Sequence, residues 1–217
     1  MSIPVSSPSS RDKICDVAEA LFARRGFAGV GLREVAEAAG LGKSSLFHHF
    51  RSKAQLYCEV LDRVLRRLGE RLAPMGRAPL PVEERLERWI GGLLDGLAEQ
   101  PTTSRLLLRA LFEEEDFLQE PPPELARAER TLGEMIGQLQ SILEEGVESG
   151  AFRAVSAPHT VQSLIGASVY HFASAEVGEG VLGGPLFGAE AVSRHRAELI
   201  ALFRHGLAAR PGPVDDR

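Results

Sequence analysis

Apolar residues recur along this chain at intervals of three and four, the mark of helices that bury one face. Ile14, Ala18, Leu21 and Phe22 form such a stripe over about Ser10–Arg25, with Ser10 the expected cap and Gly26 the stop. Leu56, Val60, Leu61, Val64, Leu65 and Leu68 predict a long helix from near Ser52 to about Leu72. Leu86, Trp89, Ile90, Leu93 and Leu97 do the same over Val82–Glu99. After Pro101 the segment TSRLLLRALFEEE reads as a further helix, with its run Leu106–Phe112 expected at the centre of the fold. Stripes over Glu124–Ser149, Pro158–Glu176 and Ala189–Leu207 supply the last three helices. The breakers are APMGRAPLP, which ends the Ser52–Leu72 helix, the acidic surface loop EEEDFLQEPPPE, and the glycine-rich loop GEGVLGGPLFG. No strand alternation and no repeat occurs, so the pattern predicts an all-α protein of about nine helices.

Two of those helices are short and lie in GLREVAEAAGLGKSSLFHHFRSK, Gly31–Lys53. Val35, Ala36 and Ala39 mark the inward face of the first, and Gly40 stands where the chain must reverse. Leu41 returns to the core, and Leu46 and Phe50, four apart, set the inward face of the second. Ala36 offers only a methyl group where the two helices would cross. These features predict a helix-turn-helix. At 100° per residue, Ser44, Phe47 and His48 point away from Leu46 and Phe50, with Lys43 at the border. That outer face is short, polar and aromatic and holds no acid, which suits a DNA major groove. Hydroxyl and imidazole groups there can reach base edges, and a ring can meet a thymine methyl. Arg51 and Lys53 follow, placed to meet phosphates. The plainer alternative is a helical hairpin with a solvated polar face.

The stretch REVAEAAGLGKSSLFHHFRSKAQLY, preceded by a helix ending in LFARRGF, resembles the N-terminal signature of the tetracycline-repressor (TetR) family of transcriptional regulators. The resemblance is specific over about residues 10–60. It implies that Arg33, Lys43, Ser44, Ser45, Phe47, His48, His49 and Lys53 form the DNA-binding set. Gly31 and Gly42 depart from the pattern, standing where the family usually has hydroxyl residues. Glycine is an acceptable N-cap, a few tenths of a kcal/mol worse, so the helices still form. Two side-chain phosphate contacts are lost.

Charge changes the picture. The net charge of −5 argues weakly against nucleic acid, but its distribution reverses that. Residues 1–72 hold 12 Lys and Arg against 8 Asp and Glu, and residues 73–217 hold 13 against 22. A small basic unit on a larger acidic body fits a DNA reader whose other half stays off DNA. The expected organisation is a disordered lead-in at 1–9, a helix-turn-helix domain at 10–55, a helical ligand-binding and dimerisation domain at 56–208, and a frayed tail at 209–217.

Candidate chemistry is sparse. No phosphate-cradling loop, nucleophile elbow or metal-ligand spacing is visible, so neither enzyme activity nor a cofactor or metal is expected. Cys15 and Cys58, both within predicted helices, read as small buried hydrophobes. His195 and His205 read as ordinary surface residues, and the Glu113–Asp116 cluster as a solvated turn. The absence of a leader or a long apolar run points to a cytoplasmic protein without membrane contact. Trp89, Arg105, Arg109, Tyr170 and His171 lie in apolar helices, and the resemblance places a small-molecule cavity among them. Of these, Trp89, Arg109, Tyr170 and His171 are the ligand-binding candidates, against the alternative that they satisfy one another or face solvent. The resemblance also implies a homodimer formed by the last two predicted helices, through Val169, Leu199 and Phe203. The function expected is therefore a ligand-responsive regulator, a repressor binding a palindromic operator. The alternative is a helix-turn-helix protein with no small-molecule effector.

Overall fold

The structure, a computed structural model, describes residues 9–112 and 121–209. Most of the predicted lead-in, the acidic tract with the Glu113–Asp116 cluster, and the tail beyond Ala209 lie outside the described residues. Ten helices occur among those described: α1 Ser10–Arg25, α2 Leu32–Ala38, α3 Lys43–His49, α4 Lys53–Gly76, α5 Val82–Glu99, α6 Pro101–Ala110, α7 Pro123–Glu148, α8 Ala157–Ala173, α9 Glu176–Leu182 and α10 Ala189–Leu207. The only extended pairing among them is one isolated bridge between Phe152 and Ala208. The all-α class stands.

Several details differ from the sequence expectation. Ser9, not Ser10, caps α1, in a capping box where Asp12 N–H donates to Ser9 Oγ and Asp12 accepts from the Ser9 backbone. The Ser9 hydroxyl also donates to Asp12 Oδ2 at 2.6 Å, and this bond does most to hold the Asp12 carboxyl below its ordinary pKa. Helix α4 runs past Leu72 to Gly76, with Pro74 inside its last turn. A proline there forgoes only one bond, to the carbonyl four residues back, so the helix survives one more turn. Leu111 and Phe112 are exposed, not central, because α6 stops at Ala110. The extra helix α9 starts just before the glycine-rich loop and takes up its first part, and none of its residues is buried.

The chain divides into two compact units, residues 1–66 with 102–130 and residues 67–101 with 131–217. The first differs from the expected 10–55 domain for a physical reason. Three short helices cannot enclose their own core, and Leu106 of α6 and Ala128 of α7 complete it. Ile14, Phe22, Val35, Leu46, Phe50, Leu56 and Tyr57 lie at its centre, with the Phe22 and Tyr57 rings edge to face at 5.0 Å. Three acids are buried beside it, and Arg127 holds them together. It reaches Glu59 and Asp62 at 3.2 Å each and Glu124 at 3.6 Å.

In the second unit α5 is the central element, packed by both α8 and α10. Trp89, Ile90, Leu94 and Leu97 bury its inner faces. At Gly92 α5 lies close to the flexible end of the Met75 side chain, which a larger residue would displace. A Cβ on Gly92 would stand 2.3 Å from the Met75 sulfur. Gln138 of α7 accepts from Trp89 Nε1 at 3.0 Å and donates to the Ala73 carbonyl at 3.0 Å, satisfying an acceptor in the last turn of α4.

Candidate functional site

The turn between α2 and α3 is built by backbone rules. Gly40 has φ +69°, a conformation that side chains disfavour. Its N–H donates to the Glu37 carbonyl at 3.0 Å, and Leu41 N–H donates to the Ala36 carbonyl at 2.9 Å. This is a Schellman closure, which satisfies the last carbonyls of α2 and turns the chain back onto the core. Gly42 then enters α3 in an extended conformation with no side-chain cap, as Gly31 does for α2. Leu46 and Phe50 are fully buried, which fixes the rotation of α3 about its own axis.

That rotation leaves Lys43, Ser44, Phe47 and His48 outside, with Phe47 40% exposed although apolar. Lys43 Nζ lies 5.7 Å from the centre of the Phe47 ring. Ser45 and His49 are half-buried at the edge of this face, and the His48 and His49 rings meet edge to face at 5.4 Å. Arg33 is exposed on α2 and pairs with Glu37 at 2.8 Å. An exposed pair of this kind is readily exchanged for a phosphate. Lys53 is already engaged. Its Nζ donates to the Phe27 carbonyl at 2.9 Å and sits 4.3 Å from the Phe27 ring centre, pinning the α1–α2 connection to the start of α4. An ammonium has three donors, so two remain.

A residue that sequence reasoning missed completes this framework. Arg11 donates to the His49 carbonyl at 3.4 Å, covers the Phe50 ring at 4.6 Å and pairs with Glu59 of α4 at 2.9 Å. It holds the C-terminal end of α3 against α1 and α4. Nothing in the local pattern around Arg11 signals a partner 38 positions away.

Comparison with known proteins agrees with this geometry. Residues 14–60 match the model for bacterial regulatory proteins of the tetR family, and residues 81–202 match that for the tetracyclin repressor-like C-terminal domain. The transcriptional repressor KstR2 of Mycolicibacterium smegmatis is 30% identical over 151 residues, 69% of this chain and 71% of the relative. The transcriptional regulator RutR of Escherichia coli O157:H7 is 29% identical over 164 residues, 70% and 68% of the two chains. The solved structure of the ketosteroid regulator KstR2 of Mycobacterium tuberculosis superposes with a TM-score of 0.75 at 20% identity, covering 94% of this chain and 98% of that one. AibR, solved with isovaleryl coenzyme A and operator DNA, superposes at 0.70 and 15% identity, covering 89% and 97%. This chain belongs to the TetR family. It is a helix-turn-helix, DNA-binding transcriptional regulator.

The four ligand candidates of this TetR-family chain do not converge. Trp89 is 1% exposed and satisfied by Gln138, a core tryptophan. Arg109 lies in the first unit, where Nε and Nη2 donate to the Ala23 and Arg24 carbonyls at 3.0 Å each and cap the end of α1. Tyr170 is 61% exposed. His171 alone of the four lines a cavity of about 470 Å³ in the second unit, with His195, Leu182 and Phe187. His195, read from sequence as a surface residue, is half-buried, and its ring stacks on that of His171.

The dimer candidates also face elsewhere. Val169 and Leu199 are 9% and 5% exposed, covered within the chain itself. Phe203 is half-buried and lines a second cavity, of about 280 Å³, with Leu86, Ile90, Phe152 and Ile200. The reason is a competition for faces. The most apolar stripes of α8 and α10 are taken by the second unit's own core. The exposed apolar residues on these helices are Tyr170 and Leu202, the latter 66% exposed. No helix among the described residues is long and apolar enough to cross a membrane.

Proposed function

We propose that the protein is a repressor that binds a roughly palindromic operator as a homodimer and is released by a small-molecule effector. The observation that carries the DNA-binding part is the outer face of α3, free of acids and held at a fixed rotation by Leu46 and Phe50. Ser44 and His48 read base edges, Phe47 meets a thymine methyl, and Lys43, Arg33 and Arg51 meet phosphates, with Ser45 and His49 at the margin. Lys53 serves twice, anchoring Phe27 and directing its free donors to the backbone. The exposed Tyr170 and Leu202 support pairing of two copies through the outer faces of α8 and α10. Two recognition helices about 34 Å apart then read two successive major grooves. Helices α4 and α7 each contribute residues to both units, which makes them the natural carriers of an effector signal. Coupling of this kind typically amounts to 1–3 kcal/mol, or about 5- to 150-fold in operator affinity.

A second reading, DNA binding with no small-molecule effector, is favoured by one observation: Trp89, Arg109 and Tyr170 do not line the His171 cavity. The experiment starts from duplexes selected from a randomised pool by the purified protein. The expected product carries two inverted half-sites about 10 base pairs apart. His48→Ala should relax preference at particular positions by roughly 1–3 kcal/mol. Lys53→Ala should weaken all sequences alike and lower the salt slope by about 1.8, one phosphate per subunit. Failure to enrich any sequence, or a salt slope untouched by Lys53→Ala, would refute these roles.

A further inference from the structure

We propose that Arg127 of α7 is a positioning residue for DNA binding: acting through Glu59 and Arg11, it holds the C-terminal end of the recognition helix α3. The inference rests on the reading of α3 as the helix that meets DNA and is independent of any effector.

Helix α3 is seven residues long, too short to keep its shape without tertiary support. The Gly40 turn sets its start. Its end has no such device: Phe50 follows in an extended conformation, and the last carbonyls must find donors outside the helix. The His49 carbonyl accepts from Arg11 Nη1 at 3.4 Å, and the same guanidinium lies 4.6 Å from the centre of the Phe50 ring. Where Arg11 stands therefore decides where this end of α3 stands.

Arg11 is held in turn from α7. A single oxygen of Glu59, Oε2, pairs with Arg11 Nη2 at 2.9 Å and with Arg127 Nη2 at 3.2 Å. Glu59 is buried, and a buried carboxylate keeps its charged partners because losing one is costly. The Arg127 guanidinium is itself fixed, since its Nε pairs with the buried Asp62 at 3.2 Å and a planar fork across two carboxylates cannot turn without breaking both contacts. A parallel link reaches the same end of α3. Arg127 meets Glu124 at 3.6 Å, Gln55 Nε2 donates to Glu124 at 3.5 Å, and Gln55 Oε1 accepts from the Arg51 N–H at 2.9 Å, one residue beyond Phe50. All of these groups belong to the first unit. Without Arg127, nothing balances the repulsion of Asp62 and Glu124 for Glu59. The Glu59 carboxylate then turns away from them and draws Arg11 off the Phe50 ring and the His49 carbonyl.

The test measures affinity for the selected duplex with full-length protein that circular dichroism shows to be folded, so that a change in stability alone leaves the result untouched. Arg127→Gln should weaken binding at least about fivefold and leave the salt slope as in the parent, because no phosphate contact is lost. Arg130→Gln, at an exposed arginine one turn further along α7, removes the same charge and should stay within about twofold of the parent. With Arg11→Gln and Gln55→Ala in one chain, both links to α3 are cut, and adding Arg127→Gln should then change affinity by less than about twofold. The proposal is overturned if Arg127→Gln binds as tightly as the parent, if it costs the same factor in the doubly cut chain, or if it lowers the salt slope, which would put Arg127 on a phosphate. Equal losses from Arg127→Gln and Arg130→Gln would overturn it too, since charge alone would then be acting, and this comparison does not need the doubly cut chain to fold. Relaxed base preference in His48→Ala beside an unaffected Arg127→Gln refutes the link alone. Unaltered preference in His48→Ala refutes the reading of α3, and the link with it.

Discussion

The turn residue Gly40 gives the sharpest test of how the recognition helix is set. With φ at +69° and nothing within 4 Å of where a Cβ would stand, Gly40→Ala meets no steric neighbour. Its whole cost is the backbone conformation, about 1–2 kcal/mol for a residue with a side chain in the left-handed region. Gly42→Ala is the control two positions away. It has φ −71°, an ordinary extended value, and its nearest neighbour would be Ser44 Oγ at 3.9 Å. Its cost is confined to the N-cap preference for Gly over Ala, below that of losing a hydroxyl cap and so under about 1 kcal/mol. Gly40→Asn should recover much of the loss, because asparagine tolerates this conformation. Urea unfolding followed by circular dichroism measures all three, and a shift of midpoint at constant slope identifies a change in stability. Binding to the selected duplex should fall for Gly40→Ala only as far as the folded population falls, since the Leu46 and Phe50 anchors are intact. Equal stability of Gly40→Ala and the parent protein would refute the argument. So would a penalty for Gly42→Ala as large as that for Gly40→Ala.

Three further outcomes follow from named contacts. Arg127→Ala leaves Glu59, Asp62 and Glu124 close together and buried; allowing for the 44% exposure of the arginine side chain, the cost should be about 2 kcal/mol, and Asp62→Asn in the same chain should reduce it. A loss under 0.5 kcal/mol in urea titrations would show that the cluster does not depend on Arg127. Because His195 is held near 4 when folded but returns to its ordinary 6.5 when unfolded, the unfolded chain binds the extra proton. Its contribution is complete above about pH 6.5 and is lost as pH falls toward 4, so His195→Phe should flatten the stability profile in that window. An unchanged profile would count against a buried neutral pair. Tyr170→Glu and Leu202→Glu, both exposed, should yield folded monomers in sedimentation and lose operator binding, whereas Val169→Glu should unfold the second unit by burying an unpaired carboxylate. Dimers from both exposed variants would remove those faces from the interface.

The sequence alone determined the elements that repeat within a few residues. The stripes Ile14–Phe22, Leu56–Leu68 and Leu86–Leu97 predict α1, α4 and α5 because helical periodicity is a short-range signal. The helix-turn-helix was legible for the same reason: Ala36, Gly40, Leu46 and Phe50 each have a local cause. Their spacing also told which side of α3 would be exposed. Short-range signals cannot say which of two apolar faces meets which partner. Sequence therefore offers Val169 and Leu199 equally to a second copy, whereas the structure buries both within their own chain, in a unit where α5 packs against α8 and α10. Nor can they pair polar groups far apart in sequence. Arg109 on the end of α1, Arg11 on the end of α3, Trp89 on Gln138 and His171 on His195 are joined only when separate helices pack. An arginine or a tryptophan in an apolar helix looks the same in sequence whether it awaits a ligand or is satisfied by a carbonyl. Only the tertiary structure supplies the carbonyl, and only it leaves the two imidazole nitrogens without one.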